Sequence, residues 1–114
     1  MSSKKGRKKK ADDPFYIKVT DDYRVARDSF NVIVTRKIAP QNGGAVREGS
    51  IGFCSTLDYA SVILQKEGVT ADAIENFKRR TAPITTSYEE GRLIIRYPAD
   101  FAFDERDITP TEAA

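Results

Sequence analysis

Residues 30–38 read FNVIVTRKI, a run dense in β-branched side chains, with Phe30, Val32 and Val34 on one face and Asn31, Ile33 and Thr35 on the other. β-Branched residues suit a pleated surface, and a period of two buries one face of an extended strand. A strand here commits the chain to a sheet. Two shorter extended segments precede it. Phe15, Ile17 and Val19, on the core side, alternate with Tyr16, Lys18 and Thr20, and Tyr23-Arg24-Val25-Ala26 resumes the pattern after Asp21-Asp22. Short turns join these segments, so an antiparallel meander is the economical topology. Pro40, Asn42, Gly43 and Gly44 make residues 39–48 a hairpin loop leading into a strand over 50–54. Gly43-Gly44 lacks both the G-x-x-x-x-G-K-[ST] pattern and the following helix that a phosphate loop needs.

The periodicity then changes. Ser55-Thr56-Leu57-Asp58 has the form of a capping box, which predicts Ser55 as the cap of a helix over 56–67. Leu57, Ala60, Ile63 and Leu64 fall on its buried face, and Gly68 is placed for a left-handed stop. Thr70 caps a second helix, Val69 and Ile74 are spaced as a hydrophobic staple, and Lys78, Arg79 and Arg80 suit the negative end of its dipole. After Pro83, residues 84–88 and 92–97 flank Glu89-Glu90-Gly91 and read as a β-hairpin, with a helix through 88–95 as the competing reading. The expected fold class is α+β, a small antiparallel sheet (a three- to five-stranded meander) packed by two consecutive helices, with a disordered basic N-terminal arm.

At 114 residues the chain has room for one domain, since domains run to roughly 100–200 residues. Its 19 basic and 17 acidic side chains are unevenly placed. Residues 1–13 hold Lys4, Lys5, Arg7, Lys8, Lys9 and Lys10 against Asp12 and Asp13, a net +4, while residues 14–114 are net −2. From residue 99 onward the balance is −4. The expected organisation is a basic arm over 1–13, a single domain over 14–98 and an acidic, partly ordered tail over 99–114 that Phe101 and Phe103 anchor to the body. A segment as polar as the arm buries too little surface to offset chain entropy. It is not read as a signal peptide, which needs an apolar stretch of about 7–15 residues after its positive start. No run approaches the roughly 18 apolar residues of a membrane span, so no membrane partner is expected, and a single Cys with no disulfide framework suits a reducing cytoplasm, the expected location.

The composition also bears on chemistry. The chain has no His and one Cys, so neither a Cys/His zinc site nor a His-paired nucleophile can be assembled, and no internal disulfide can form. Asp21-Asp22, Glu89-Glu90 and Asp104-Glu105 are adjacent carboxylates in turns, without EF-hand spacing. No catalytic residue, metal ligand or cofactor is assigned. Cys54 precedes a helix start, where a thiol can become reactive, but a lone Cys in an apolar strand more often serves as a small core residue. The candidates that remain are for nucleic-acid binding. Six clustered cations neutralise phosphates without sequence preference, and Tyr16, Lys18, Tyr23, Arg36 and Lys37 are placed to share a polar sheet face as a stacking platform. Lys78-Arg79-Arg80 with Lys66 forms a second basic set.

Over residues 23–60, a Tyr-Arg-hydrophobic strand, Asp28-Ser29-Phe30-Asn31-Val32-Ile33-Val34, a Gly-rich loop and Ile51-Gly52-Phe53-Cys54-Ser55-Thr56-Leu57-Asp58-Tyr59-Ala60 follow one another. This order resembles small uncharacterised proteins encoded by phages and prophages of Gram-positive bacteria, in which a strand ending Gly-aromatic-aromatic meets a Ser/Thr-Leu-x-x-Ala helix start. Cys54 stands where a second aromatic is commoner. The resemblance covers about a third of the chain and implies a context, with no site residues to transfer. It suggests a non-enzymatic accessory protein contacting DNA or RNA through its arm. The other reading is an inhibitor or subunit that binds a host or phage protein through its sheet face or acidic tail. The oligomeric state is left open.

Overall fold

The computed structural model describes residues 14–40 and 44–108, so residues 1–13, 41–43 and 109–114, with every cation of the basic segment, lie outside it. Four antiparallel strands form one sheet in sequence order: β1 (Ile17–Lys18), β2 (Tyr23–Arg27), β3 (Val32–Ile38) and β4 (Arg47–Cys54). Helices α1 (Leu57–Lys66) and α2 (Ala71–Thr81) follow, and β5 (Thr85–Glu89) pairs with β6 (Arg92–Arg96) as a separate hairpin. The fold is α+β, with the meander and the two consecutive helices that the periodicities predict.

Local chemistry sets the turns. Thr20 Oγ1 accepts the amides of Asp22 and Tyr23, both at 3.1 Å, which closes the β1–β2 connection. Asp28 Oδ1 accepts those of Phe30 and Asn31 at 2.8 and 2.7 Å. Short polar side chains that take up nearby amides favour turns over continued strand. One consequence corrects the sequence reading. Phe30 belongs to this turn and not to β3, and it is 55% exposed instead of joining Val32 and Val34 in the core.

The helices cover one face of the sheet. Val25, Val32, Val34 and Cys54 pack there with Leu57, Ala60 and Leu64 of α1 and Phe77 of α2, and Phe15, Ile17, Ile84 and Leu93 extend the cluster. The cap of α1 is Thr56, whose Oγ1 accepts the Tyr59 amide at 3.1 Å, so the expected cap Ser55 is off by one residue. At the other end Gly68 (φ 93°) donates to Gln65 O and Val69 to Leu64 O, both at 3.1 Å. That is a Schellman stop, and only a residue tolerant of positive φ fits it. Thr70 caps α2 as expected, accepting the Ala73 amide. The hairpin turns at Glu90 (φ 53°) and Gly91 (φ 78°), a two-residue turn with positive φ at both positions, which excludes the helical reading of this region.

A bulge decides what the opposite face carries. Val34 pairs with Gly52 but Thr35 pairs with Ser50, so Ile51 has no residue across from it. Skipping one residue reverses the side-chain parity of the strand. Gly52 and Cys54 therefore face the helices, whereas Glu48 lies on the opposite face beside Thr35. At Gly52 a Cβ would stand 2.9 Å from Ile63 Cδ1, so the missing side chain lets α1 settle onto β4.

Candidate functional site

Residues 97–108 cover the β1–β2 side of the far face of the sheet. They turn at Pro98, where the Phe101 amide donates to Pro98 O, and then run along the outer edge of β1. The Asp104 amide donates to Tyr16 O at 2.9 Å, and the Lys18 amide donates to Asp104 Oδ2 at 2.7 Å. These bonds satisfy the edge that the short β1 leaves open.

Beneath this strap lies a buried polar cluster built on Arg24, which is fully buried. Its Nη1 donates to Tyr16 Oη at 2.9 Å and to Asp107 Oδ1 at 2.7 Å, and its Nη2 donates to Asp21 O at 2.8 Å. Nε is buried without a hydrogen-bond partner. Glu48 accepts from Thr35 Oγ1 at 2.6 Å and from Arg106 Nη1 at 3.4 Å, and the Arg106 guanidinium lies 4.3 Å over the Tyr16 ring. Hydrogen bonds from Lys18 and Arg24 hold the Asp107 carboxyl down to about 2. Burial opposes ionisation of Asp104, yet the hydrogen bonds from Arg80 and the Lys18 amide, with their charges, outweigh it and leave that carboxyl below its ordinary value. Burial pushes the Tyr16 phenol up against the opposing Arg24 hydrogen bond. In chemical terms the cluster is a set of matched charges fastening a strap.

The residues expected to form a stacking platform are separated. Tyr16 is 1% exposed beneath Arg106, so its ring is closed to a base, which corrects the expectation that it lines an open polar face. Lys18 bridges Asp107 at 3.0 Å and Lys37 bridges Asp21 at 3.1 Å. Tyr23 and Arg36 pair across β2 and β3 on the helix-side face, where the Tyr23 hydroxyl donates to Glu67 at 3.3 Å and Arg36 lies 3.8 Å from the same carboxylate. The basic set is likewise divided, because Lys66 ends α1 while Lys78 and Arg79 end α2 and Arg80 binds Asp104 at 2.9 Å. Lys4, Lys5, Arg7, Lys8, Lys9 and Lys10 lie outside the described residues.

One member of each adjacent carboxylate pair has a structural partner. Asp21 takes Lys37, Glu89 takes Arg96 at 3.0 Å, and Asp104 takes Arg80. Cys54 is buried, its Sγ 3.4 Å from Thr56 O, and burial pushes its thiol up, the opposite of an activated nucleophile. Among the described residues no three His, Cys, Asp or Glu side chains are grouped to hold a metal ion, and no helix is long and apolar enough to cross a membrane.

An open concavity lies beside the strap. A cleft of about 600 Å³ is walled by Pro14, Tyr97, Phe101, Phe103, Glu105 and Arg106, among others. Tyr97 meets Phe103 edge-on, with centroids 4.8 Å apart and planes at 87°, and Phe101 is 4.7 Å from Phe103. Phe103 packs in turn on Phe15 at 5.2 Å, and the Arg80 guanidinium lies 5.7 Å over Phe101. The spacing of Phe101 and Phe103 reads from the sequence as an anchor. That Tyr97 joins them was hidden, because it stands at the end of β6 with no periodic partner. Comparison of the chain with family models, with curated proteins and with solved structures finds no significant match.

Proposed function

We propose that this chain is a non-enzymatic accessory binding protein, of the kind phages encode, that contacts DNA or RNA through Lys4, Lys5, Arg7, Lys8, Lys9 and Lys10. The observation that carries this reading is the distribution of charge. On the sheet, Lys18, Arg36 and Lys37 each lie within 4 Å of a carboxylate, whereas the first ten residues hold six cations and no acid. Cations clustered in sequence with no acid among them are suited to releasing counterions from a phosphate backbone.

The test is retention on nucleic acid as a function of salt. The intact chain is expected to shift both single-stranded and duplex DNA at low ionic strength. The logarithm of affinity should fall against the logarithm of salt with a slope of about −0.7 to −0.9 per phosphate neutralised. Deleting residues 1–10 should flatten that slope. Absence of any shift at low salt, with or without the segment, defeats the reading.

A protein-directed inhibitor or subunit is the second reading, and edge strand β4 favours it. Phe53 is 54% exposed there, and Val46, Tyr59 and Val62 are exposed on or beside the same edge-strand and helix unit. Recovery from host lysate of one stoichiometric protein that Phe53→Lys no longer retains would favour this reading over the first.

A further inference from the structure

The two edges of the four-stranded sheet differ. Residues 97–108 run along the outer side of β1, where the Asp104 amide donates to Tyr16 O and the Lys18 amide to Asp104 Oδ2. Among the described residues nothing pairs with the outer side of β4, although at eight residues it is the longest strand of the sheet. Free edges are commonly blunted by brevity, Lys or Pro. Ser50-Ile51-Gly52-Phe53-Cys54 carries no charge and no Pro, and Phe53 stands exposed on the far face. Above this edge, α1 packs over both β3 and β4, with Ile63 against Gly52. Tyr59, Val62, Ile63 and Lys66 are spaced i, i+3, i+4 and i+7, so they form one stripe along that flank of α1. Tyr59, Val62 and Lys66 are exposed.

We propose that a second copy of this chain covers the edge, with β4 lying antiparallel beside its copy across a two-fold axis that passes near Gly52. Neighbouring strands are about 4.8 Å apart, so a helix over the β3–β4 seam stands about 5 Å from that axis and about 10 Å from its copy. That is the separation of packed helices. The stripe is complementary to itself. An antiparallel crossing between Val62 and Ile63 sets Tyr59 against Lys66 of the copy, a cation on a ring, and Val62 against Ile63 of the copy. On the far face the two Phe53 rings become diagonal neighbours, about 7–8 Å apart at the backbone and within reach of aromatic side chains. The bulge at Ile51 interrupts the row of outward amides, so these side chains carry most of the contact. Because the strap already covers the β1 edge, association closes at two copies. The proposal does not depend on the nucleic-acid reading.

Sedimentation equilibrium of the full chain over a range of concentrations tests this. The mass should rise to twice that of one chain and no further. Phe53→Lys and Tyr59→Lys, both at exposed positions, should each weaken the dimer about tenfold with unchanged circular dichroism. In Tyr59→Lys the new cation meets Lys66 of the copy, so adding Lys66→Glu should restore the affinity. Positions 59 and 66 lie about 10 Å apart along one helix, so this rescue reads a contact between copies. If Phe53→Lys folds poorly, Tyr59→Lys and its rescue decide. A mass of one chain at every concentration overturns the proposal and leaves the edge to a foreign segment, with the nucleic-acid reading untouched. Growth beyond two copies overturns it, as does a dimer that Tyr59→Lys does not weaken.

Discussion

Arg24 is the residue on which the far side of the sheet depends. In the strand Tyr23–Arg27 its neighbours Val25 and Ala26 are buried, and a buried guanidinium there would be costly without partners. Tyr16, Asp107 and the Asp21 carbonyl supply them. Hydrogen bonds to charged groups contribute about 1.5–3 kcal/mol each, and truncation also leaves a cavity. Arg24→Ala should therefore cost about 3 kcal/mol, read as a lower urea midpoint, and Arg24→Lys should cost less because it keeps the charge but not the planar fork. A loss under about 1 kcal/mol for the alanine variant would mean that water replaces these contacts easily. The place of Arg24 in an extended segment was visible in the sequence. Its partner Asp107 was not, because it lies 83 residues away.

At the scale of elements, local chemistry and local structure agree closely. The period-two runs became strands, Thr70 caps α2, Gly68 stops α1, and the Glu90-Gly91 turn gave a hairpin. The one-residue error at the α1 cap is informative. Ser55-x-x-Asp58 and Thr56-x-x-Tyr59 both offer a hydroxyl, and the chain uses the one whose oxygen reaches the third residue beyond it, Tyr59 N. Where α1 begins is set by docking Leu57 and Ala60 against Val32 and Cys54. Losing an N-cap hydroxyl costs about 1 kcal/mol, so Thr56→Ala should lower the chemical denaturation midpoint by that amount and Ser55→Ala should leave it nearly unchanged. The reverse order would restore the capping box as read from sequence.

Over the whole molecule, the C-terminal strap is held by charge as much as by its rings. Lys18 and Arg24 hold the Asp107 carboxyl to about 2, and Asp104 is also depressed. An unfolded Asp titrates near 3.9. Groups whose folded value lies below the unfolded one contribute stability that is complete above that value and is lost as pH falls toward the folded one. The thermal midpoint should therefore hold from pH 6 to about pH 4 and drop between about pH 4 and pH 2. In Asp107→Asn the drop should be smaller, because the variant has no charge left to lose. An equal acid drop in the variant and the unaltered chain would place the acid sensitivity elsewhere.

Neighbours along the chain dictate the order and type of the elements, most of their ends, and the charge asymmetry between residues 1–13 and the rest. Hydrophobic period, caps and turn residues act over a few positions, so a linear reading captures them. The tertiary structure alone decided which face each polar side chain occupies and what covers it. The bulge opposite Val34 and Thr35 turns Glu48 away from the helix side, and the strap seals Tyr16 and Arg24. Tyr97 and Pro14 line one cleft only because residues 97–108 return along the outer edge of β1. Parity along a strand is reversed by one unpaired residue, and burial is conferred by segments remote in sequence. The charge asymmetry was therefore legible as composition, and the geometry of the sheet faces emerged only when the chain closed on itself.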